Sequence, residues 1–318
     1  MTAALHAQNV IALIWDFDKT LAPEYMQRPL FDEYQVDPNV FWNEVAMLPA
    51  ALKKMGVNVH PDTSYLNHLL TYVKAGKMPG LNNAKLRELG GRIRFNEGVP
   101  AIFELLRRDL PDDVVLEHYI VSTGLRAMVE GSAVSGHVED IWASEFIEAA
   151  PQPGYDLSTV LPAGGEISQI AIAYDNTSKT RALFEINKGS SHDPAIKVNA
   201  RMSPEDRRVP FEQMIYIADG PSDVPAFSVV KNNGGNVLAV CDLANDKSFE
   251  QANALMRDGR IDYFGPADFR DASITTKWLR STVRRLAEGV VARRQTAVKS
   301  RVGGVPEHLA DESSRRKH

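Results

Sequence analysis

Cysteine is almost absent: Cys241 is the only one among 318 residues. No disulfide can form within the chain, and no thiolate metal site can be built, so a reducing, cytoplasmic setting is expected. Long apolar runs are missing as well. None approaches the roughly 18 residues of a membrane span, and Met1 to Asn9 lack the basic-then-apolar pattern of a secretion signal. Neither low-complexity tracts nor internal repeats occur. The 44% hydrophobic and 24% charged composition is that of a folded globular protein, long enough for one large domain with an insertion or for two domains.

Charge of one sign is also lacking. With 36 Lys and Arg against 41 Asp and Glu the net charge is -5, which disfavours a protein that coats nucleic acid with most of its surface. The balance is uneven, since the stretch from Lys277 to His318 holds eleven basic and four acidic residues. Within it Leu279, Val283, Leu286 and Val290 form one apolar stripe on a basic helix, expected to dock on the core or on a second copy of the chain. No aromatic or base-reading pattern accompanies the basic residues, so nucleic acid is not the expected partner. Past Lys299 the composition predicts a mobile tail.

What is present is a set of short, nearly pure apolar runs that end in polar residues. Val10 to Trp15 closes at Asp16, His118 to Val121 at Ser122, Met214 to Ala218 at Asp219, and Asn236 to Val240 near Asp242. Such runs are strands buried on both faces, as in a parallel sheet. Between the first two, residues 24 to 95 carry helical periodicity and no strand pattern. Asp62 or Thr63 is the expected cap of a helix bearing Leu66, Leu69 and Val73. Pro49 is expected to kink or end the preceding segment, and Gly90-Gly91 to close a helix bearing Leu86 and Leu89. Val99 to Leu110 reads as a crossover helix, and Ile141 to Ile147 with Ser168 to Tyr174 as a β-hairpin. The expected fold is α/β, a doubly wound Rossmann-like parallel sheet. Its core comprises residues 1–23 and 96–265, with an α-helical cap at 24–95 and a basic helix and tail at 266–318.

Ligands of parallel α/β sheets sit beyond the carboxyl ends of the strands, so Asp16, Ser122 and Asp219 are expected to converge. Clustered carboxylates call for a hard cation such as Mg2+, with Asp16, Asp18 and Asp219 as the expected ligands. Phosphoryl transfer needs a nucleophile, charge neutralisation and a proton for the leaving oxygen. Asp16 is the candidate nucleophile and Asp18 the candidate proton donor and base. Ser122, Thr123 and Lys179 are candidates for holding the phosphate, and Asp223 for supporting the metal shell or Lys179. Taken singly these are ordinary residues: Asp caps strand ends, Ser lines turns and Lys decorates helices. Their placement at the ends of successive strands is what links them.

Four stretches in order carry a family resemblance. Ile11 to Leu21, with Asp16-Phe17-Asp18-Lys19-Thr20 inside it, resembles the first motif of the haloacid dehalogenase superfamily, on its phosphoserine-phosphatase-like side. Ile120-Val121-Ser122-Thr123-Gly124 resembles the second motif, Lys179 ahead of a helix the third, and Asp219-Gly220-Pro221-Ser222-Asp223 the fourth. Ala218 stands where the family usually has Gly, and Glu24 lies one residue closer to Asp16 than that family's substrate-reading Glu. The resemblance implies a Mg2+-dependent hydrolase acting through a phosphate carried on Asp16. Asp18 sets the chain apart from the superfamily's dehalogenases and leaves phosphatase and phosphomutase as alternatives. The expected partner is a small phosphorylated molecule. Glu24, Arg28 and Arg94, with Arg92 nearby, are candidates for reading its other end. His60, His68, His118 and His137 show no metal-ligand spacing and are taken as structural or exposed.

Overall fold

A computed structural model describes residues 7–108, 110–148, 154 and 164–302. The tail expected to be mobile lies, from residue 303 on, outside them. The first strand, β1 (Val10–Trp15), is followed by the helical insertion α1 (Arg28–Tyr34), α2 (Pro38–Lys54), α3 (Pro61–Lys74) and α4 (Asn83–Gly90). The crossover helix α5 (Ala101–Arg107) leads into β2 (Val115–Leu125), and α6 (Arg126–Glu130), β3 (Asp140–Ile147) and β4 (Gln169–Ile172) follow. Then come α7 (Ser178–Lys188), β5 (Met214–Ala218), α8 (Val224–Asn232), β6 (Asn236–Val240), α9 (Asp246–Arg257), β7 (Tyr263–Gly265) and α10 (Ile274–Val302).

Among the described residues the strands form one seven-stranded sheet in the order β4-β3-β2-β1-β5-β6-β7. All pairings are parallel except β3 with β4, so the two segments expected as a hairpin do pair antiparallel. The chain builds outward from β1 to one side, then to the other, which opens a crevice at the carboxyl ends of the central strands. Every residue of β1 is buried. Ile11, Leu13 and Trp15 face one core layer, and Val10, Ala12 and Ile14 the other, as the two-residue period of a strand requires. Trp15 packs edge-on against Phe103 of α5 and Phe269, each with ring centroids 5.6 Å apart.

The insertion shares the core layer of Trp15. Phe31, Phe41, Trp42, Tyr65 and Tyr72 stack upon one another with centroids 4.9 to 6.1 Å apart, and aromatic pairs of this kind add to simple area burial. At the crossing of α4 with α6, a Cβ on Gly90 would lie 2.1 Å from the Met128 carbonyl oxygen, and one on Gly131 would lie 1.8 Å from that of Arg87. Glycine at both positions lets these backbones touch.

Several sequence expectations are corrected. Pro49 neither ends nor replaces helix: α2 runs through it to Lys54. The cap of α3 is His60, whose ring accepts from the Asp62 amide, and Pro61 at the first helical position begins the helix where Asp62 or Thr63 was expected. The second strand runs on through Ser122 to Leu125, and its register with β3 shifts between Val121 and Leu125. The stripe Leu279, Val283, Leu286 and Val290, by contrast, is buried in the chain's own core as one of its two expected dockings, against α5, β1 and β7. Basic side chains of α10 are likewise engaged within the chain. Arg285 donates to Asn236 at 2.7 Å, Arg293 to Gln213 at 2.5 Å and Arg294 to Asp113 at 2.6 Å. Among the described residues no helix is long and apolar enough to cross a membrane.

Candidate active site

Asp16 sits one residue past β1 because its amide still pairs with β5, donating to the Ile217 carbonyl at 2.8 Å. The chain then turns sharply: the amides of Thr20, Leu21 and Ala22 all converge on the Phe17 carbonyl. Lys19 adopts a left-handed backbone with φ of 60°. Asp18 is oriented by the next stretch, its Oδ1 accepting from the Met26 amide at 2.8 Å. From β2, Ser122 is buried and its hydroxyl accepts from the Gly124 amide at 3.0 Å. A side chain at Gly124 would strike Met26, whose sulfur accepts the Leu125 amide at 3.1 Å.

Lys179 enters from the first turn of α7. The approach is fixed by Asp175, whose Oδ1 accepts from the Thr177 amide at 2.9 Å and the Ser178 amide at 2.6 Å. Lys179 is 1% exposed, and its ammonium donates to Asp16 Oδ1 at 2.8 Å and to Asp223 Oδ1 at 2.6 Å. Asp223, wholly buried, also accepts from the Tyr216 hydroxyl at 2.7 Å and from Ser222 at 2.9 Å. Burial alone would lower the Lys179 pKa, and the two carboxylates more than offset this and hold it above its ordinary value.

Ligand oxygens of Asp16, Asp219 and Asp223 lie within 4.8 Å of one another. Burial, together with the Asp223 and Asp219 charges, pushes Asp16 up against the pull of Lys179. Asp219 is raised by burial and then by Asp223. Lys179 pairs with two of these three carboxylates, and Asp219 feels both Lys19 and Lys179; an all-oxygen donor set with more carboxylates than cations in contact fits a hard divalent cation. Of the expected trio, Asp16 and Asp219 lie in this group of carboxylates. Asp223 stands in the group, while the carboxylate of Asp18 is turned to Met26. Burial pushes the Asp18 carboxyl up to about 7.

Beside Asp18 lies a cavity of about 240 Å³ walled by Gln27, Trp42, Asp62, Tyr65, Thr123 and Asn176, among others. Glu24, Arg28 and Arg94 do not reach it. They line a separate cavity of about 450 Å³ that shares only Tyr25 with the first, Arg28 is paired with Asp32, and Arg92 with Glu33 and Glu88. Glu24 and Arg28 also line a third cavity, of about 320 Å³, together with Lys19, Tyr25 and Trp42. His118 and His68 are buried, His68 against Glu44 at 2.7 Å, while His137 stacks on Phe103.

A protein of Borreliella burgdorferi described as uncharacterized is 39% identical over 281 residues, covering 86% of this chain and 96% of that protein. The chain belongs to the same family. No protein-family model matches it. Among solved structures it is similar to a phosphoserine phosphatase in apo form (14% identity, 82% of this chain and 96% of that one, TM-score 0.49). It is also similar to a probable phosphoserine phosphatase from Vibrio cholerae (11%, 89% and 68%, 0.49) and to a HAD family hydrolase from Salmonella enterica serovar Typhi (13%, 73% and 62%, 0.47). The chain spans less than two thirds of that last protein. At these identities and scores the likenesses say nothing of substrate or mechanism. The fold of this family member is a doubly wound sheet with a helical insertion after the first strand, and the four stretches singled out in the sequence meet, in order, at one crevice.

Sequence reasoning missed several residues of the crevice in this family member. Tyr216 alternates as an ordinary core residue of β5, so nothing in its pattern marks its hydroxyl. Thr20, buried with its hydroxyl 3.4 Å from Asp16 Oδ2, lay inside the first motif and was assigned no role. Tyr65, whose hydroxyl donates to the Thr123 carbonyl at 2.6 Å, read as one more apolar position of α3. Gln27 and Asn176 gave no signal.

Proposed function

We propose that the protein is a Mg2+-dependent phosphomonoester phosphatase working through a phosphate carried on Asp16. The observation that carries this is the buried Lys179 ammonium shared between Asp16 and Asp223, with Asp219 beside them and Asp18 at the adjoining cavity. Asp16, Asp219 and Asp223 would hold the ion. When bound it would neutralise charge on the phosphoryl oxygens and the carboxylates.

A carboxylate oxygen of Asp16 attacks phosphorus, the bond from phosphorus to the leaving oxygen breaks, and Asp18 gives its proton to that oxygen, releasing the alcohol. Asp18, now ionised, takes a proton from water as the water oxygen attacks phosphorus. Orthophosphate leaves, and Asp16 is regenerated. Ser122 and the Thr123 amide hold the phosphoryl oxygens, and Lys179 offsets charge on Asp16 through both steps. Helices α1 to α3, packed over the crevice, act as the cap that excludes water and selects the leaving group. Purified protein with Mg2+ should release phosphate from p-nitrophenyl phosphate, and Asp16→Asn should abolish turnover with the melting transition intact. Full activity in that variant would overturn the assignment of the nucleophile.

A further inference from the structure

The cavity beside Asp18, at about 240 Å³, falls below the roughly 300–1,000 Å³ of drug-sized ligand pockets. It has room for a small leaving group. One part of its wall is aromatic, with Trp42 5.0 Å from Tyr25 and 5.9 Å from Tyr65 between ring centroids. Another part is polar: Gln27, Asp62 and Asn176. Among the described residues no Lys or Arg lines it.

Gln27 is the telling residue. It is 2% exposed and precedes α1 at the position where a polar side chain ordinarily turns back to cap the helix. It makes no such bond, and its Oε1 is buried without a partner. Asn176 lines the same cavity, and its Oδ1 too is buried without a partner. Buried polar atoms are nearly always satisfied, and exceptions concentrate where a ligand or water completes them.

We propose that Gln27, together with Asn176, reads the leaving group, and that the substrate is the phosphomonoester of a small hydroxylated alcohol bearing no second anionic group. This rests on the phosphatase reading and narrows it. A hydroxyl both donates and accepts, and so complements a carboxamide, which carries an acceptor oxygen and a donor NH2. A carboxylate or second phosphate brings acceptors alone. It would face Asp62 and two unpaired carbonyl oxygens, and the nearby cations are committed elsewhere: Lys179 to Asp16 and Asp223, and Lys19 to the Tyr25 hydroxyl at 3.1 Å. The aromatic wall suits the carbon skeleton of such an alcohol.

The test is steady-state kinetics of the full chain with Mg2+ on glycerol 1-phosphate, 3-phosphoglycerate, phosphoethanolamine and p-nitrophenyl phosphate. Glycerol 1-phosphate should exceed 3-phosphoglycerate, its carboxylate counterpart, by at least about tenfold in kcat/KM. Gln27→Leu should lower kcat/KM for glycerol 1-phosphate about fivefold more than for p-nitrophenyl phosphate, chiefly through KM. Asn176→Ala should act in the same direction, which keeps the test usable if the first variant folds poorly. Turnover of p-nitrophenyl phosphate without preference between the two three-carbon esters, or equal loss on both substrates in the variants, overturns the inference and leaves the phosphatase standing. A preference for phosphoethanolamine overturns the hydroxyl assignment. Failure on all four substrates removes the phosphatase reading and this inference with it.

Discussion

Asp16 and Asp223 share one ammonium: Lys179 Nζ lies 2.8 Å from the first and 2.6 Å from the second, with all three side chains out of solvent. The two carboxylates come from opposite sides of a strand pairing, Asp16 from the end of β1 and Asp223 from the turn after β5. The lysine therefore ties motif to motif as well as tuning charge.

Removing that tie should be felt in stability as well as in catalysis. Lys179→Met leaves buried carboxylates uncompensated and should destabilise the fold by about 3 to 5 kcal/mol. Urea denaturation of the variant against the parent measures it, and a loss within error would show that the pair contributes nothing to folding.

The surplus of negative charge at Asp16, Asp219 and Asp223 leads to a thermal prediction. Mg2+ at about a hundred times its dissociation constant should stabilise the native state by about 2.7 kcal/mol, seen as a rise in Tm that EDTA reverses. Asp219→Asn should shrink that rise. A Tm indifferent to Mg2+ and EDTA would remove the metal from the site.

His118 makes stability depend on pH. Its Nδ1 accepts from the Trp15 indole at 3.2 Å, and burial pushes its pKa down to about 3, against about 6.5 in an unfolded chain. Between these values the unfolded chain binds a proton that the native state refuses, so this group destabilises the fold progressively as pH falls below about 6.5, with the loss levelling off near 3. His118→Asn, which keeps an acceptor for the indole, should flatten the unfolding free energy against pH across that window by up to about 1.4 kcal/mol per pH unit, read by urea denaturation at each pH. Parallel profiles for parent and variant would contradict the burial of a neutral imidazole.

The docking of α10 predicts an energetic cost without a change of assembly. Leu279 is wholly buried, and Leu279→Ala should cost about 2 to 5 kcal/mol while leaving the elution volume on size exclusion unchanged. A variant of full stability but smaller hydrodynamic size would mean that the stripe joins two copies instead.

How much of this was legible in the sequence follows from what sequence encodes directly. The four apolar runs ending in Asp16, Ser122, Asp219 and the Asp242 region were readable because strands buried on both faces are mostly apolar, although β2 continues through Ser122 to Leu125. The helical stripes of α3, α4 and α10 were readable by period. β7 escaped notice because three residues carry no period, and Pro49 misled because propensity is local and tertiary context overrides it. The place of Asp223 beside Asp16 and Asp219, and the turn of the Asp18 carboxylate toward the Met26 amide eight residues away, are settled by packing that spacing does not carry. The leaving-group cavity was illegible for a similar reason. Gln27, Tyr65 and Asn176 come from three separate segments, brought together only by the packing of the insertion over the crevice.

β1 lies in the middle of the sheet, flanked on one side by a strand about a hundred residues later in the chain and on the other by β5, about two hundred residues later. On a ribosome making about 5 to 20 residues per second, one edge of β1 stays unpaired for roughly 10 to 40 s after it emerges. Asp219 and Asp223 arrive only as that edge closes. The nascent chain thus completes its cluster of buried carboxylates in the same event that pairs the second edge of β1, and a polypeptide released before β5 would have neither.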